Sequence, residues 1–255
     1  MSEPMDRRAD RAPAWLVVAS LVALVAVIGA QVYGFRTSPP DAGMGHLQKI
    51  MYVHVPAAWN AFLAFFIVFW ASVVYLWKRT ERADLLAASA AEVGALFTGL
   101  TLALGSIWGR PTWGVWWTWD ARLTSTAVLF IIFVGYLALR SFTDDPERRG
   151  RWSAAVGIFG ALNVPIVYMS VRWWRTLHQV QSSPETLSPE YAAGLRLNGL
   201  AFLLVLIVFI GAWSIVHGFA TLWLAGALPA GLDEDPGNAA RSVIRHLFTP
   251  GPDTA

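Results

Sequence analysis

Six long apolar stretches, separated by short polar segments, dominate the hydropathy pattern of this chain. An α-helix needs about 20 predominantly apolar residues to cross a bilayer, and each stretch approaches or exceeds that length. The stretches run from Ala14 to Phe35, Ala57 to Trp77, Leu85 to Ile107, Ser125 to Phe142, Ser153 to Val171 and Leu197 to Leu224. The pattern predicts an all-α polytopic membrane protein with six transmembrane helices.

The polar positions divide the chain into three segments. Residues 1–13 form an N-terminal segment, residues 14–224 contain the six apolar stretches, and residues 225–255 form a tail containing Pro, Gly and acidic residues. The longer connections are at 36–56, 108–124 and 172–196, and an alternating path puts all three on one side of the membrane. We expect the tail to be mobile and the six-helix segment to carry the function.

The distribution of Lys and Arg predicts the orientation, because cytoplasmic segments carry an excess of these residues. Of the 19 Lys and Arg residues, twelve fall on the side of the termini and seven fall in the three longer connections. We therefore expect both termini to be cytoplasmic and the longer connections to lie at the outer face of the membrane.

Composition narrows the classes of function further. Charged residues make up 14% of the chain, whereas about 25% is typical of a soluble domain. The chain has no Cys, which excludes disulfides, thiolate metal sites and cysteine nucleophiles. The net charge is only +2, so we do not expect nucleic-acid binding.

The densest chemical signal is the Trp-rich segment from Trp108 to Thr124, W-G-R-P-T-W-G-V-W-W-T-W-D-A-R-L-T. Because Gly109, Pro111 and Gly114 interrupt it, we expect an irregular loop. Trp is enriched at membrane interfaces, which would account for one or two residues at a helix end. Five Trp in a punctuated loop instead favour a platform for a flat, apolar, aromatic ligand; they are Trp108, Trp113, Trp116, Trp117 and Trp119.

Two histidines flank the Trp-rich segment on the same side of the membrane. His54 precedes the second apolar stretch, with Pro56 in the expected first helical turn, and His178 follows the fifth stretch beside Trp173 and Trp174. A lone interfacial His is most often a surface polar residue. Two of them near Trp on one face favour a ligand pair, since neutral imidazole is a common axial ligand of haem iron. We therefore predict His54 and His178 as metal ligands.

Four other polar residues bear on this interpretation. A guanidinium matches a carboxylate, so Arg122 is expected to pair with a haem propionate. Asp120 is a candidate contact of the ligand, with the alternative that it orients Arg122 or a backbone amide of the loop. Glu92 lies inside the third stretch, where a functional role and a buried neutral state both stay open. Asn163, with the nearby Pro, predicts a kink in the fifth stretch, with Asn163 bonding backbone that the kink frees.

Three motifs occur in order on the six stretches: Y-V-H-V-P-A-A-W, then W-G-R-P-T-W-G-V-W-W-T-W-D-A-R-L-T-S, then W-W-R-T-L-H-Q. In this arrangement the chain resembles the haem exporter protein C family (CcmC), which belongs to the tryptophan-rich haem-handling proteins of cytochrome c biogenesis. The resemblance covers residues 14–224. It implies that His54 and His178 match the two outer histidines of the family and that residues 108–120 match its Trp-rich loop.

The resemblance also implies a function. Haem b would be bound non-covalently as cargo at the periplasmic face of a bacterial inner membrane and passed to a periplasmic haem chaperone for cytochrome c maturation. The implied partners are the membrane and ATPase subunits of an ABC transporter and a small single-span accessory subunit. The implied role is binding and transfer rather than enzymatic turnover, and whether the chain assists covalent attachment of haem to the chaperone stays open.

Two other classes compete with this interpretation. A b-type haem subunit of a membrane oxidoreductase would need His pairs within the apolar stretches, and the paired candidates lie outside them. A transporter of another small molecule would need broken helices and polar residues at mid-membrane, and only Glu92 and Asn163 approach that position. An absorbance spectrum and a redox titration separate the three.

Overall fold

The computed structural model describes residues 14–179 and 187–224, except for the side chains of residues 217, 221, 222 and 224. The N-terminal segment 1–13, the tail 225–255 and the side chain of His217 therefore lie outside the described residues.

Seven α-helices form the described part of the chain. They are α1 (Ala14–Thr37), α2 (Met51–Lys78), α3 (Glu81–Trp113), α4 (Ala121–Phe142), α5 (Pro146–Ala161), α6 (Asn163–Trp173) and α7 (Pro189–Leu224). A short 3-10 turn, His46–Ile50, precedes α2. Six helical segments are long and apolar enough to span a membrane, with α5 and α6 together forming the fifth. The prediction of an all-α chain with six spans is confirmed.

The two ends of the helix bundle differ in chemistry. We call the end at which α3 finishes and α4 begins the tryptophan end, because residues 108–119 lie there. At the opposite end Arg140 of α4 and Asp84 of α3 form an ion pair with two N–O contacts of 2.7 Å. Both side chains are largely buried, so this bidentate pair joins the start of α3 to the end of α4.

The helix α3 continues through the first part of the Trp-rich segment and ends at Trp113. The prediction of an irregular loop from Trp108 is therefore wrong for residues 108–113. A Cβ atom on Gly109 would lie 2.9 Å from the ring of Trp113, so this glycine gives that ring space one turn later. The helix stops at Gly114, whose φ of 81° is the left-handed conformation that glycine adopts at little cost.

The helix α2 begins at Met51, earlier than the expected Ala57, so Pro56 lies inside it and not in its first turn. Proline has no N–H, which leaves the carbonyl of Tyr52 without its helical partner. The side chain of Gln31 on α1 donates to that carbonyl at 3.1 Å and to the side chain of Asn198 on α7 at 2.7 Å. This partly buried polar contact joins α1, α2 and α7.

Small residues let α2 and α3 pack closely at the centre of the bundle. Ala57, Ala61 and Ala64 of α2 are buried in this core. The ring of Phe65 lies against Gly94 of α3, where an added Cβ would come within 2.6 Å of it. Close approach through small residues is a common way for helices to associate in membranes. The helix α2 also packs against α5 and α7, so it is the central helix.

The fifth span breaks at Leu162, between α5 and α6. This interruption lies where the sequence predicted a kink, but the predicted partner of Asn163 is wrong. Its side-chain amide donates to the carbonyl of Ser125 on the neighbouring helix α4 at 2.9 Å. The second half of the span, α6, packs against α4 and α5, and it leads directly to the segment that carries His178.

Candidate functional site

A cavity of about 190 Å³ lies at the tryptophan end, between α2, α3, α4 and α6. Most of its lining is apolar. Six of the residues predicted from the sequence contribute to this lining: His54, Trp108, Trp113, Trp117, Arg122 and His178. The cavity is thus lined by residues of four helices and of the three longer connections, at 36–56, 108–124 and 172–196.

The two predicted histidines face each other in this cavity. Their ring centroids are 6.5 Å apart, and the ring planes differ by 30°. Trp108 contacts the ring of His54 edge to face at 5.7 Å, and Trp113 lies 6.4 Å from the ring of His178. Each imidazole therefore has one indole beside it.

The position of His54 differs from the expectation. It lies inside α2, in the first turn, and is buried, whereas the sequence predicted a position just before the helix. Its Nδ1 atom is buried and has no hydrogen-bond partner within the described residues. This nitrogen lies toward α3, 3.7 Å from the position that a Cβ on Gly105 would take, and the backbone of Thr101 on the same helix also interacts with the ring.

The backbone carbonyl of the next residue, Gln179, defines the tautomer of His178. Its Nδ1 lies 2.8 Å from the carbonyl oxygen of Gln179. A carbonyl only accepts, so Nδ1 carries the hydrogen and Nε2 keeps its lone pair. A metal-binding His usually holds its other ring nitrogen in this way.

The electrostatics of the site also keep His178 neutral. Burial and the positive charge of Arg122 lower the pKa of His178 below its ordinary value of 6.5, against the opposing effects of the Gln179 carbonyl and Asp120. A neutral imidazole is the form that binds iron.

The spacing of the two imidazoles can be compared with that of a haem iron. Two metal–nitrogen bonds of about 2 Å, with about 1.2 Å from each nitrogen to the centre of its ring, would separate the ring centres by about 6.4 Å. The centroid distance here is 6.5 Å. The centroid separation therefore matches the value expected for two imidazoles on one metal atom.

Among the described residues that line the cavity, Arg122 is the only Lys or Arg. Its guanidinium donates to the carbonyl of Tyr168 at 2.8 Å and contacts the hydroxyl of Ser170 at 3.4 Å, both on α6. Because an Arg side chain has five N–H groups, these contacts leave donors for an anionic group in the cavity.

Asp120 lies beside the cavity but not in its lining. One carboxylate oxygen accepts the backbone N–H groups of Arg122 and Leu123, so Asp120 is the N-cap of α4. The other oxygen accepts the N–H of Leu177 at 2.8 Å. Burial alone would raise the pKa of Asp120, but these bonds and one from the Thr176 hydroxyl outweigh it and hold the pKa below its ordinary range.

Four of the predicted Trp residues do not line the cavity. Trp116 and Trp119 are 57% and 83% exposed, and Trp173 and Trp174 are also more than half exposed. Trp119 contacts Trp117 edge to face at 5.8 Å. Because Trp117 lines the cavity, this contact connects the cavity lining to an exposed indole at the surface. Their contact with a ligand stays a prediction.

The sequence did not single out several residues that shape the cavity. The sulfur of Met44 accepts a hydrogen bond from the indole N–H of Trp108 at 3.4 Å. Gly105 lies against His54, where an added Cβ would come within 3.1 Å of its ring. Neither Met44 nor Gly105 belongs to a distinctive local motif. Gly105 lies about one helical turn before Trp108 on α3, so this helical spacing could have indicated that Gly105 faces the same cavity.

The two predicted histidines do not form part of a protein site with three or more ligands for a metal ion within the described residues. Within the described residues no group of three or more His, Asp or Glu side chains could hold one. The described residues therefore offer two imidazoles and an aromatic lining, and no complete set of protein ligands for a bare ion. His46, the other outer histidine, is exposed in the turn before α2 and is not part of the lining.

Comparison with known proteins agrees with the motifs. The family model described as heme exporter protein C matches residues 3–223. A heme exporter protein C of Bradyrhizobium diazoefficiens is 40% identical over 197 residues, covering 76% of this chain and 73% of that protein. The heme exporter protein C of Escherichia coli is 38% identical over 193 residues, covering 75% of this chain and 77% of the relative.

A mitochondrial relative extends the similarity beyond bacteria. A ccmC-like mitochondrial protein of cytochrome c biosynthesis from Marchantia polymorpha is 42% identical over 146 residues, which cover 57% of this chain and 61% of that protein. With a family match over nearly its whole length and six spans that carry the motifs in order, this chain belongs to the haem exporter protein C family.

Proposed function

We propose that this chain binds haem b as non-covalent cargo in the cavity at the tryptophan end and hands it on for cytochrome c maturation. The observation that carries the proposal is the facing pair of His54 and His178, whose ring centroids are 6.5 Å apart. The relatives are named as haem exporters and as a protein of cytochrome c biosynthesis. Chemistry and family therefore point to the same ligand.

Each group in the cavity has a role toward haem in this proposal. The imidazoles of His54 and His178 would hold the iron. Trp108, Trp113 and Trp117 supply flat apolar surface against the macrocycle. Arg122 pairs with a propionate, since charge-assisted bonds to carboxylates are the strongest available to a guanidinium.

We propose that the exposed indoles also contact haem or its acceptor, at the surface of the protein. Trp116, Trp119, Trp173 and Trp174 would contact the part of the haem that projects from the cavity or the molecule that receives it. A ligand held by two separate imidazoles can be released in steps, because a partner can displace one bond at a time. The role that we propose is binding and transfer of haem rather than enzymatic turnover.

The proposal includes an orientation and a set of partners. The excess of Lys and Arg on the side of the termini supports an orientation with the tryptophan end at the periplasmic face of the inner membrane. There the haem would pass to a periplasmic haem chaperone, with the membrane and ATPase subunits of an ABC transporter and a small single-span subunit acting alongside. The names of the relatives as exporters support an assembly of this kind.

The competing classes fit the geometry less well. In an electron-transfer subunit we expect His pairs between helices near mid-membrane, whereas His54 is in the first turn of α2 and His178 follows α6. A transporter of another small molecule would not need two imidazoles at the spacing of an iron atom.

Spectra of haem-loaded variants test the proposal. We expect the unmodified protein to show a six-coordinate iron, and His54→Ala and His178→Ala each to lose that signature in absorbance and resonance Raman spectra. The double variant should retain haem at least about tenfold less well, or about 1.4 kcal/mol. His46→Ala is the matched control, because that histidine is exposed outside the cavity, and it should match the unmodified protein. A six-coordinate signature that survives in both single variants would contradict the assignment.

A further inference from the structure

Asp120 lies where two parts of the site meet. As the N-cap of α4, its carboxylate orients the first turn that carries Arg122. The same carboxylate accepts the N–H of Leu177, which is 57 residues away in sequence and adjacent to His178. One side chain therefore connects the start of α4 to the segment after α6.

A second link passes through Thr176. Its hydroxyl donates to Asp120 and accepts the backbone N–H of His178 at 3.0 Å. Asp120 thus holds the His178 segment through two adjacent residues, Thr176 and Leu177. The imidazole itself is not touched by Asp120, and its Nδ1 is bonded to Gln179.

The carboxylate has little capacity left for a ligand. Both of its oxygens accept hydrogen bonds, from Arg122, Leu123, Leu177 and Thr176. The residue is buried and does not contribute to the cavity lining. A second anion beside the carboxylates of haem would also repel them. These observations argue against a direct contact between Asp120 and haem.

We infer that Asp120 is a positioning residue, which fixes the backbone of residues 176–178 so that the imidazole of His178 faces that of His54. The inference deepens the proposed function and rests on it for the role of His178 as an iron ligand. The physical reason is that His178 follows the end of α6 at Trp173, so helical hydrogen bonds do not hold its backbone. Bonds to a charged acceptor are about twice as strong as neutral ones and replace them.

The substitution Asp120→Asn separates the two roles of this side chain. Asparagine is as good an N-cap as aspartate, so α4 keeps its cap. Its amide NH₂ group cannot accept from Leu177 or Thr176, so the link to the His178 segment is lost. Thr176→Val is a second, milder variant that removes only the bridging hydroxyl.

The control is Asp145→Asn. Asp145 caps α5 in the same way, accepting the N–H of Arg148 at 2.6 Å, but it lies at the opposite end of the bundle. The two substitutions make the same chemical change at two N-caps, and only one of them is linked to His178.

The first measurement needs no haem. Hydrogen–deuterium exchange of the purified full-length protein should show the amides of Leu177 and His178 exchanging about tenfold faster or more in Asp120→Asn. The Leu177 amide loses its charge-assisted acceptor, and the His178 amide loses a Thr176 hydroxyl that Asp120 held in place. Asp145→Asn should leave their exchange unchanged. Equal exchange in Asp120→Asn and the unmodified protein would overturn the inference, whatever the outcome for haem.

The second measurement uses added haem. Asp120→Asn should shift the resonance Raman signature toward that of His178→Ala, and adding Asp120→Asn to His178→Ala should cause no further loss of retention. A loss that adds fully to that of His178→Ala would mean that Asp120 acts on haem directly, and this would overturn the inference. If His178→Ala itself leaves the spectrum unchanged, the proposed function fails in its ligand assignment, and the exchange result still decides the role of Asp120.

Discussion

The fit between Gly105 and His54 leads to a specific prediction about the site. An added Cβ at position 105 would lie 3.1 Å from Cε1 of His54 and 3.7 Å from its Nδ1. Carbon atoms in ordinary contact are about 3.5–4.0 Å apart. In Gly105→Ala the imidazole must therefore move by roughly 0.4 Å or more, away from α3.

The same substitution should not weaken the fold. Alanine is favoured over glycine in a helix by about 1 kcal/mol, and position 105 lies within α3. This gain in helix stability offsets part of the free energy lost because the new methyl group crowds the ring of His54. We expect a melting temperature in detergent close to that of the unmodified protein, together with a changed iron signature and roughly tenfold weaker haem retention, or about 1.4 kcal/mol.

Gly135→Ala is the matched control for this prediction. Gly135 is also within a helix, α4, and an added Cβ there meets nothing within 4 Å. It should keep the spectrum and the retention of the unmodified protein. The reasoning is refuted if Gly105→Ala binds haem with an unchanged spectrum and unchanged retention, because the ring of His54 would then not be held against α3 in the loaded protein.

Three further predictions concern the fold, the orientation and the effect of pH. Gln31→Leu leaves the carbonyl of Tyr52 and the side chain of Asn198 without their donor, which should lower the free energy of unfolding by about 1–3 kcal/mol in a denaturation series. A Cys at position 119, which is 83% exposed, should react with an impermeant reagent added to the periplasmic side, and a Cys at position 144 should not; the reverse pattern would refute the orientation. The pKa of His178 is lowered below 6.5, so its imidazole stays neutral above that pH. Haem retention should therefore be constant above pH 6.5 and fall only in more acidic solution, where protonation of the imidazole competes with iron. A loss of retention that begins above pH 6.5 would contradict this prediction.

The apolar stretches and the local motifs were sufficient to predict the six spans, the kink near Asn163 and the candidate residues. Hydropathy predicts spans well because lipid offers no hydrogen bonds to the backbone, so each apolar stretch must form a helix. The limits of the helices were less predictable. Residues 51–56, which include Pro56, and residues 108–113, which include Gly109 and Pro111, are helical. At Pro56 the side chain of Gln31 donates to the carbonyl of Tyr52, and at Gly109 the ring of Trp113 packs against the glycine.

The residues of the candidate site were named from the sequence, but their division into roles depends on the tertiary structure. Trp117 and Trp119 are two positions apart in the same motif, yet one lines the cavity and the other is 83% exposed. Asp120 and Arg122 are equally close in sequence, and the first bonds the His178 segment while the second lines the cavity. The physical reason is that a side chain's direction and its partners come from helices far away in sequence: the carboxylate of Asp120 meets the N–H of Leu177 only because α6 packs against α4.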